Sequence, residues 1–497
     1  MCAVAALAIT AGGADAQSTL RIGLAEDPDI LDPTLARTYV GRIVFASICD
    51  KLFDIDGDLN IVPQLALSHE TAEDGRTLTI SLRPDVQFHD GEPMDAEAVK
   101  YSLDRHREMD SSFRRAELTA VESVEVVDDL TVRLNLSAPF APLVASLTDR
   151  SGMIVSPKAA EELGDQFGNQ PVCAGPFRFV ERVQQDRIVV ERFEDYWDAD
   201  NVHIDEIVYR PIEDSTVRLA NLQAGDLDLI ERALATDIPA IRADDSLELA
   251  VVTELGYQGM TINVANGPAA DNPLGQDPRV RQALNLSIDR EALNQVVFNG
   301  EFFPGNQWVS PENQWYQESH PTPERDVEKA KALLAEAGVE TPVTVDYMVP
   351  NNPEVRQVAE VIQAMAAEAG FDMQIRVVEF ATSLSEAEAG RYQAFMLAWS
   401  GRPDPDGNLY SFASTGGPLN YGHYSSETVD AALAEARTAT TFEARKAAYK
   451  KVADEWLTEG SVLYLYHRAM LIAHTDRVEG YEQRPDGLVR VVGIRLN

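Results

Sequence analysis

The chain is short of positive charge, histidine and cysteine. Its 497 residues carry 42 lysines and arginines against 81 aspartates and glutamates, which gives a formal net charge of −39. Nucleic acid and anionic membrane surfaces repel a chain with this charge, so neither is expected as a partner. With 8 scattered histidines, and without a Gly-rich phosphate loop, a G-x-S-x-G elbow, an H-E-x-x-H motif or paired C-x-x-C motifs, the sequence predicts neither an enzyme nor a bound metal or cofactor.

Long apolar runs are also missing beyond the N-terminus. No such stretch approaches the ~20 apolar residues of a membrane span, so no stable membrane insertion is expected. Residues 1–16 read MCAVAALAITAGGADA, an apolar run that ends in small residues. This pattern predicts a secretory signal peptide cleaved after Ala16, and hence a periplasmic protein. The basic residues that usually open such a signal are missing, so we expect the natural start to lie further upstream.

Only two cysteines remain once the signal is removed. Cys2 leaves with it, and Cys49 and Cys173 are an even pair in an oxidising compartment. A disulfide between them is the default expectation there. Two buried free thiols are the alternative.

The remaining composition is that of a folded globular protein. Hydrophobic residues make up 45% of the chain and charged residues 25%. At ~150 residues per domain, the length suggests about three compact units. No repeat, low-complexity tract or Gly/Ser linker separates them, so short strands should join the units.

Two kinds of sheet are predicted. Residues 19–24 alternate as a first strand and run into a Pro-rich loop, whereas residues 61–170 contain alternating segments after Asp-Gly and Asp-Asp turns, a pattern typical of an antiparallel α+β unit. Asp95 is a plausible N-cap for a helix within that unit. Residues 343–379 instead form a strand, a helix ended by Gly370 and a second strand, which predicts a parallel crossover.

Two acidic segments imitate a calcium loop, at residues 54–58 and 404–407. In the first, Leu59 occupies the position of the required glycine and Leu65 that of the bidentate glutamate. We interpret it as a hairpin turn.

The most informative segment is residues 395–408, FMLAWSGRPDPDGN. A buried-looking strand ends at Trp399 and gives way to glycine, proline and charge, and ligands of open α/β sheets bind at such strand ends. Arg402 offers a donor fork that matches a carboxylate, and Trp399 offers a flat wall. In the alternative interpretation, Arg402 only pairs with Asp404 or Asp406 in a solvated loop.

Several motifs together resemble the family 5 extracytoplasmic solute-binding proteins of ABC importers, which include dipeptide, oligopeptide, nickel and glutathione binders. The resemblance covers essentially the whole mature chain. The segments that carry it are LDP at residues 31–33, IVPQLA at 61–66, LRPDVQFHDG at 82–91, DAEAV at 95–99, PVCAGPF at 171–177, DYW at 195–197, DPRVRQAL at 277–284 and AKALL at 330–334.

The resemblance implies an α/β fold of the type II periplasmic-binding-protein kind, with two lobes that close around a hinge. Lobe I would comprise residues 17–60, 171–255 and 468–497, with an α+β subdomain, residues 61–170, inserted into it. Lobe II would comprise residues 256–467, so that Tyr257 and His467 lie near the two crossings. A monomer that delivers its ligand to an inner-membrane ABC permease is expected.

The chain departs from this family at Arg402. Dipeptide and oligopeptide binders carry an aspartate there, which pairs with the peptide's ammonium group; an arginine should attract a carboxylate instead. Asp404 or Asp406 is then the candidate for an amino group. An opine-like conjugate, an acidic glutathione-like peptide and a peptide bound in another orientation remain open. The predicted ligand-binding residues are Tyr39, Tyr257, Trp399, Ser400, Gly401, Arg402 and Asp404.

Three alternatives to transport differ in what they would require of the chain. A periplasmic sensor that docks on a receptor would use the same fold. A hydrolase would need a nucleophile beside a base, which the sequence does not offer. Nickel or haem capture would need a His/Cys cluster, which is also missing.

Overall fold

The structure is a computed structural model that describes residues 18–497, and it has a mixed α/β architecture with three larger sheets. The predicted signal peptide, residues 1–16, lies outside the described residues. None of the helices within the described part combines the length and the hydrophobicity needed to span a bilayer.

The first body is built on a seven-stranded sheet. Its first strand, Thr19–Leu24, lies between two parallel neighbours, and the outer strands run antiparallel. In spatial order the strands are Leu247–Thr253, Ala469–Thr475, Leu229–Ile230, Thr19–Leu24, Glu206–Pro211, Arg187–Arg192 and Phe177–Val183. Helix Tyr39–Ile48 packs in the core of this body, and nine of its ten residues are buried.

The second body is built on a six-stranded sheet. In spatial order its strands are Phe303–Pro304, Val462–His467, Tyr257–Ile262, Ala394–Trp399, Val343–Pro350 and Phe371–Val378. The helices of nine or more residues that belong to it are Pro278–Ser287, Arg290–Phe298, Val327–Ala337, Pro353–Ala369, Phe380–Glu388, Glu427–Thr438 and Phe442–Glu459.

The parallel crossover predicted at residues 343–379 is confirmed. Strands Val343–Pro350 and Phe371–Val378 pair in parallel, and helix Pro353–Ala369 connects them. The helix begins at Pro353, where the Asn352 side chain caps it by accepting a hydrogen bond from the Val355 amide. Gly370 ends it with a left-handed φ of 99°, as expected.

A smaller antiparallel unit lies within residues 61–170. Its four strands, in spatial order, are Ala66–Thr71, Thr77–Leu82, Thr131–Leu136 and Val121–Asp128. Asp95 caps helix Ala96–Glu108 through a bond from the Ala98 amide, so the predicted antiparallel pattern and the predicted cap are both confirmed. The acidic segment at residues 54–58 lies in a hairpin between strands Phe53–Ile55 and Ile61–Pro63, as interpreted from the sequence.

The chain passes between the two larger sheets at two adjacent places. Strand Leu247–Thr253 belongs to the first sheet and strand Tyr257–Ile262 to the second, and the return runs from Val462–His467 to Ala469–Thr475. The Glu254 amide donates to the Arg468 carbonyl at 3.0 Å, and the Arg468 amide donates to Glu254 Oε1 at 2.9 Å. These two hydrogen bonds hold the two connections side by side. The lobe boundaries given above stay a prediction.

Cys49 and Cys173 form a disulfide bond in the structure. Both residues are buried in the core of the first body, at 2% and 0% exposure. The bond joins the end of helix Tyr39–Ile48 to the segment that returns from the antiparallel unit. It therefore links chain segments on either side of that unit.

Candidate functional site

The segment singled out at residues 395–408 lies directly against the first crossing between the bodies. Strand Ala394–Trp399 ends there, and Gly401 follows with a left-handed φ of 77°. A Cβ atom at Gly401 would lie 2.1 Å from the carbonyl carbon of Leu255, and one at Gly256 would lie 1.8 Å from the Trp399 carbonyl oxygen. Two glycines therefore permit this close approach, and the turn cannot move independently of the crossing.

Asn408 holds this turn together. Its Oδ1 accepts hydrogen bonds from the Arg402 amide at 2.7 Å and from Trp399 Nε1 at 3.1 Å, while its Nδ2 donates to the Leu255 carbonyl at 3.0 Å. Asn408 is fully buried. Sequence reasoning missed this role, because a polar residue that follows Asp-Gly in a loop gives no sign of being buried.

The Arg402 side chain reaches from the second body to Asp149, in the segment that leaves the antiparallel unit. Its guanidinium lies 4.7 Å from the centroid of the Trp399 ring, and Nε lies 3.2 Å from Oδ2 of Asp149. Gly407 leaves room for its stem, since a Cβ there would lie 2.6 Å from Arg402 Cγ. Burial lowers the pKa of Arg402 to about 10, even though Asp149 acts in the opposite direction. Arg402 is therefore not the solvated surface charge of the alternative interpretation.

Asp404 and Asp406 have partners of their own. Arg445 donates to both oxygens of Asp404 at 2.7 and 2.8 Å, and Arg437 donates to both oxygens of Asp406 at 2.7 and 2.8 Å. The alternative interpretation, in which Arg402 pairs with Asp404 or Asp406, is wrong, because these two bidentate pairs occupy both carboxylates. A ligand contact by Asp404 stays a prediction, and a ligand would compete there with Arg445.

We call the boundary between the two bodies the cleft. Asp149 lies at the centre of the cleft wall that faces Arg402. It is 3% exposed and lies in the segment that leads from the antiparallel unit back toward the first body. The side chains around it are positively charged, and we call them the arginine cluster: Arg42, Arg114, Arg150 and Arg402. Burial by itself would raise the pKa of Asp149, but the four guanidiniums outweigh that effect and hold its pKa well below the usual value.

The members of the cluster share acceptors. Arg42 Nε donates to Asp149 Oδ1 at 3.1 Å, and Arg150 Nε lies 3.8 Å from the same oxygen. Arg114 and Arg150 both donate to the carbonyl oxygen of Ala36, at 3.4 and 2.8 Å, so their guanidiniums are neighbours. Asp149 and the Ala36 carbonyl are thus each shared by more than one of the four cations at the boundary between the bodies.

Sequence reasoning missed every member of the cluster except Arg402. Arg42 offered a signal, since it is the one charged residue of the otherwise apolar helix Tyr39–Ile48. Burying such a side chain is costly unless it has an ionic partner. Arg114, Asp149 and Arg150 lie in short irregular segments, where the local sequence gives no indication of burial.

The two predicted tyrosines are packed into the protein. The Tyr39 hydroxyl donates to the Gly487 carbonyl at 2.8 Å, and the guanidinium of Arg232 lies 4.9 Å from the centroid of its ring. Tyr257 pairs with Trp399 across neighbouring strands and packs edge-on to Tyr464 at 4.7 Å. Both lie close to the site, but their ligand contacts stay predictions, as does that of Ser400, whose Oγ lies 3.5 Å from Arg402 Nη1.

A second contact joins the antiparallel unit to the second body. The Ala141 amide donates to the Arg437 carbonyl at 2.8 Å. The Arg437 guanidinium lies between the rings of Tyr410 and Phe140, at 3.0 and 5.1 Å from their centroids. Both this contact and the Arg402–Asp149 pair would break if the bodies moved apart.

Two cavities elsewhere are weaker candidates. One of about 240 Å³ lies on the second body beside Arg290, and one of about 480 Å³ lies along helix Ala96–Glu108. The Arg290 guanidinium is already bonded to the carbonyls of Gly305 and Tyr464, and the second cavity is rimmed by charges of both signs. Within residues 18–497 no group of three or more His, Cys, Asp or Glu is placed to hold a metal ion.

The chain matches known proteins along most of its length. Residues 60–420 match the model for bacterial extracellular solute-binding proteins, family 5. The glutathione-binding protein GsiB of Pectobacterium atrosepticum is 31% identical over 470 residues, which cover 92% of this chain and 90% of that protein.

Solved structures show the same architecture. The binding protein AgaA of A. tumefaciens R10, in complex with agropinic acid, superposes with a TM-score of 0.85 at 26% identity, over 96% of this chain and 99% of that one. The periplasmic binding protein DppA of Helicobacter pylori, in complex with the peptide STSA, also gives 0.85, at 24% identity over 97% and 98%. The fold expected from the resemblance, an α/β fold like that of the type II periplasmic binding proteins, is confirmed.

Proposed function

Since this chain belongs to the family 5 bacterial extracellular solute-binding proteins, which serve ABC importers and are not enzymes, we propose that it captures a small peptide-like or amino-acid-derived ligand bearing a carboxylate. The observation that carries this proposal is the position of Arg402. Its guanidinium is buried against Trp399 and lies among three further arginines. A carboxylate is the ligand group that this donor set fits best.

Closure is the proposed means of capture. The turn that holds Arg402 packs on the crossing at Leu255 and Gly256, so Arg402 moves with the second body, whereas Asp149 lies on the other side of the cleft. In an open form Arg402 would be separated from Asp149 and from the other three arginines. A ligand that bridges the two walls binds only the closed form and shifts the population toward it.

The names of the relatives are compatible with an acidic ligand. One is a glutathione-binding protein, and another was solved with agropinic acid. By analogy, an acidic peptide or an acidic amino-acid conjugate is the proposed ligand class for this chain. Export by a signal peptide cleaved after Ala16, a monomeric state and delivery to an inner-membrane permease are parts of the same proposal. Neither the fold nor the comparisons favour a receptor-docking sensor.

Mass spectrometry of the small molecule that co-purifies with the native protein tests this proposal, together with thermal-shift titrations of glutathione, Ala-Asp, Ala-Ala and Ala-Lys. We expect an acidic compound in the native protein and stabilisation by acidic probes. Arg402→Gln should weaken that binding by about 100-fold, the cost of removing one partner of a buried charge pair. Arg391→Gln, which removes an exposed arginine of the same body, is the matched control. Equal binding of Ala-Asp by native protein and Arg402→Gln, or tighter binding of Ala-Lys than of Ala-Asp by the native protein, would contradict the proposed ligand class.

A further inference from the structure

The arginine cluster carries more positive charge than its neighbours neutralise. Asp149 contacts three of the four guanidiniums, and Glu117 pairs with Arg114 at 2.8 Å. The buried Asp486 also acts on Arg42, but it is paired with Arg490 at 2.7 Å. Four cations against the two carboxylates that pair with them therefore leave an excess of two positive charges. Three of these arginines are nearly inaccessible to solvent, with exposures of 2% for Arg42, 4% for Arg114 and 2% for Arg150.

The same three arginines have unused donors. Nη1 of Arg42, Nε of Arg114 and Nε of Arg150 are buried and have no hydrogen-bond partner within residues 18–497. Each of these guanidiniums is already held by another contact, to Asp149, Glu117 or the Ala36 carbonyl. The donors are therefore fixed in place and not free to turn toward water. Leaving a buried donor unpaired costs free energy, which a ligand oxygen would recover.

Two other buried cations beside the turn at Arg402 are balanced. Arg437 and Arg445 each hold a carboxylate of their own through two bonds. In the cluster, by contrast, burial and then the nearby Arg114 hold the pKa of Arg150 well below its usual value. A single ligand carboxylate would still leave one uncompensated cation in a site of low dielectric constant.

We propose that the ligand is dianionic at the end that lies against the arginine cluster, carrying either two neighbouring carboxylates or one doubly charged oxyanion such as a phosphate. This inference rests on the proposed function and specifies its ligand. Arg42, Arg114 and Arg150 form the wall whose excess positive charge favours a ligand end with two negative charges over one, and Arg402 closes over it. A ligand with one carboxylate at that end is discriminated against, because binding it buries an uncompensated cation.

Matched dipeptides separate one charge from two. Ala-Asp carries two carboxylates on its last residue, Ala-Asn carries one, Ala-Asn-amide carries none, and Ala-phosphoserine-amide carries a phosphate dianion. Calorimetric titration should give a dissociation constant at least about 30-fold lower for Ala-Asp than for Ala-Asn, since one more charged hydrogen-bonded contact forms. The phosphate compound shows which of the two dianions is preferred.

The variants Arg150→Gln and Arg114→Gln should reduce that ratio to about threefold, because each removes the excess charge that the second carboxylate neutralises. Arg133→Gln removes an arginine that lies on the antiparallel sheet and pairs with Glu125, and it should preserve the full ratio. Circular dichroism and urea unfolding check that each variant is folded. If one variant fails to fold, the other and the native protein still give the comparison.

Each outcome has a distinct meaning. Equal affinity of the native protein for Ala-Asp and Ala-Asn overturns the proposal of a dianionic ligand end, whereas the proposal of a carboxylate-bearing ligand stands. A preference for Ala-Asp that survives in both cluster variants overturns the role of Arg114 and Arg150. Binding of none of the acidic probes, together with a neutral or cationic co-purified compound, overturns the proposed function, and this inference falls with it.

Discussion

The two walls of the cleft use buried arginines in opposite ways. On the second body, Arg437 and Arg445 each have one aspartate and contact both of its oxygens. On the facing wall, Arg42 and Arg150 share Asp149 with Arg402 from across the cleft. Paired charges are satisfied before any ligand arrives and stabilise the fold. Shared charges are neutralised only in part, so a ligand anion gains binding free energy when it neutralises the rest.

The largest expected effect breaks a paired charge. Arg445→Gln leaves Asp404 buried without its cation and should lower the free energy of unfolding by about 3–5 kcal/mol. Arg150→Gln removes a surplus cation and should leave that free energy within about 1 kcal/mol of the native value, or raise it. Urea unfolding of both variants measures the difference. If Arg150→Gln destabilised the protein as much as Arg445→Gln, the distinction between the walls would be wrong.

A fall in pH should protonate the buried histidines on unfolding, whereas it should leave the charges of the arginine cluster unchanged. Burial lowers the pKa of His89, His106 and His467 from 6.5 to about 4. The unfolded chain takes up these protons near pH 6.5 and the folded protein does not, so this stability is complete above pH 6.5 and is lost as the pH falls to about 4. Each histidine should contribute on the order of 2 kcal/mol of loss between pH 7 and pH 5. Asp149 stays ionised over this range, because its pKa is held well below the usual value.

Unfolding free energies at pH 7, 6 and 5 check this prediction. His106→Gln should flatten the pH dependence, since His106 is fully buried between Thr34 and the Met153 carbonyl. The affinity for an acidic probe, measured over the same range, should change less than the stability does. An affinity that falls in step with the stability would show that the binding wall also titrates here.

The smallest effect is expected from a substitution that moves Arg402 without removing it. The Cβ of Gly407→Ala would lie 2.6 Å from Arg402 Cγ and must displace that side chain. We expect affinity for an acidic probe to fall about tenfold, or ~1.4 kcal/mol. Stability should fall as well, because the new Cβ would also lie 2.7 Å from Arg402 Cβ, a contact that no rotation of the side chain relieves. Gly57→Ala is the control, since its Cβ would meet only a Glu482 side-chain oxygen at 3.7 Å. Equal affinities of the two variants would show that Arg402 takes no part in ligand binding.

Much of the architecture was predictable because it depends on local patterns. Gly370 placed the end of a helix, and two runs of alternating apolar residues placed two strands of the antiparallel unit: Leu78, Ile80 and Leu82, and Leu130, Val132, Leu134 and Leu136. The strand that ends at Trp399 was also expected, together with a site at its carboxyl end. Such features are determined by side-chain periodicity and by backbone conformations that few residues adopt.

The partners of Arg402 were not predictable in this way. From the sequence, Asp404 and Asp406 were the nearest carboxylates, whereas in the structure the partner is Asp149, which is 253 residues away along the chain. Asp404 and Asp406 instead pair with arginines of two later helices. Proximity along the chain was misleading, because bidentate partners on those helices satisfied both aspartates.

The sequence alone determined the charge of the protein, the pattern of its strands and helices, its family resemblance and the presence of an arginine at position 402. These properties depend on composition and short-range order. Tertiary structure alone decided that Arg42, Arg114, Arg150 and Arg402 meet around one aspartate, because that meeting requires four separate parts of the chain to pack together. Coulomb interactions act through space, so the charge balance of a site exists only once its walls have been brought together.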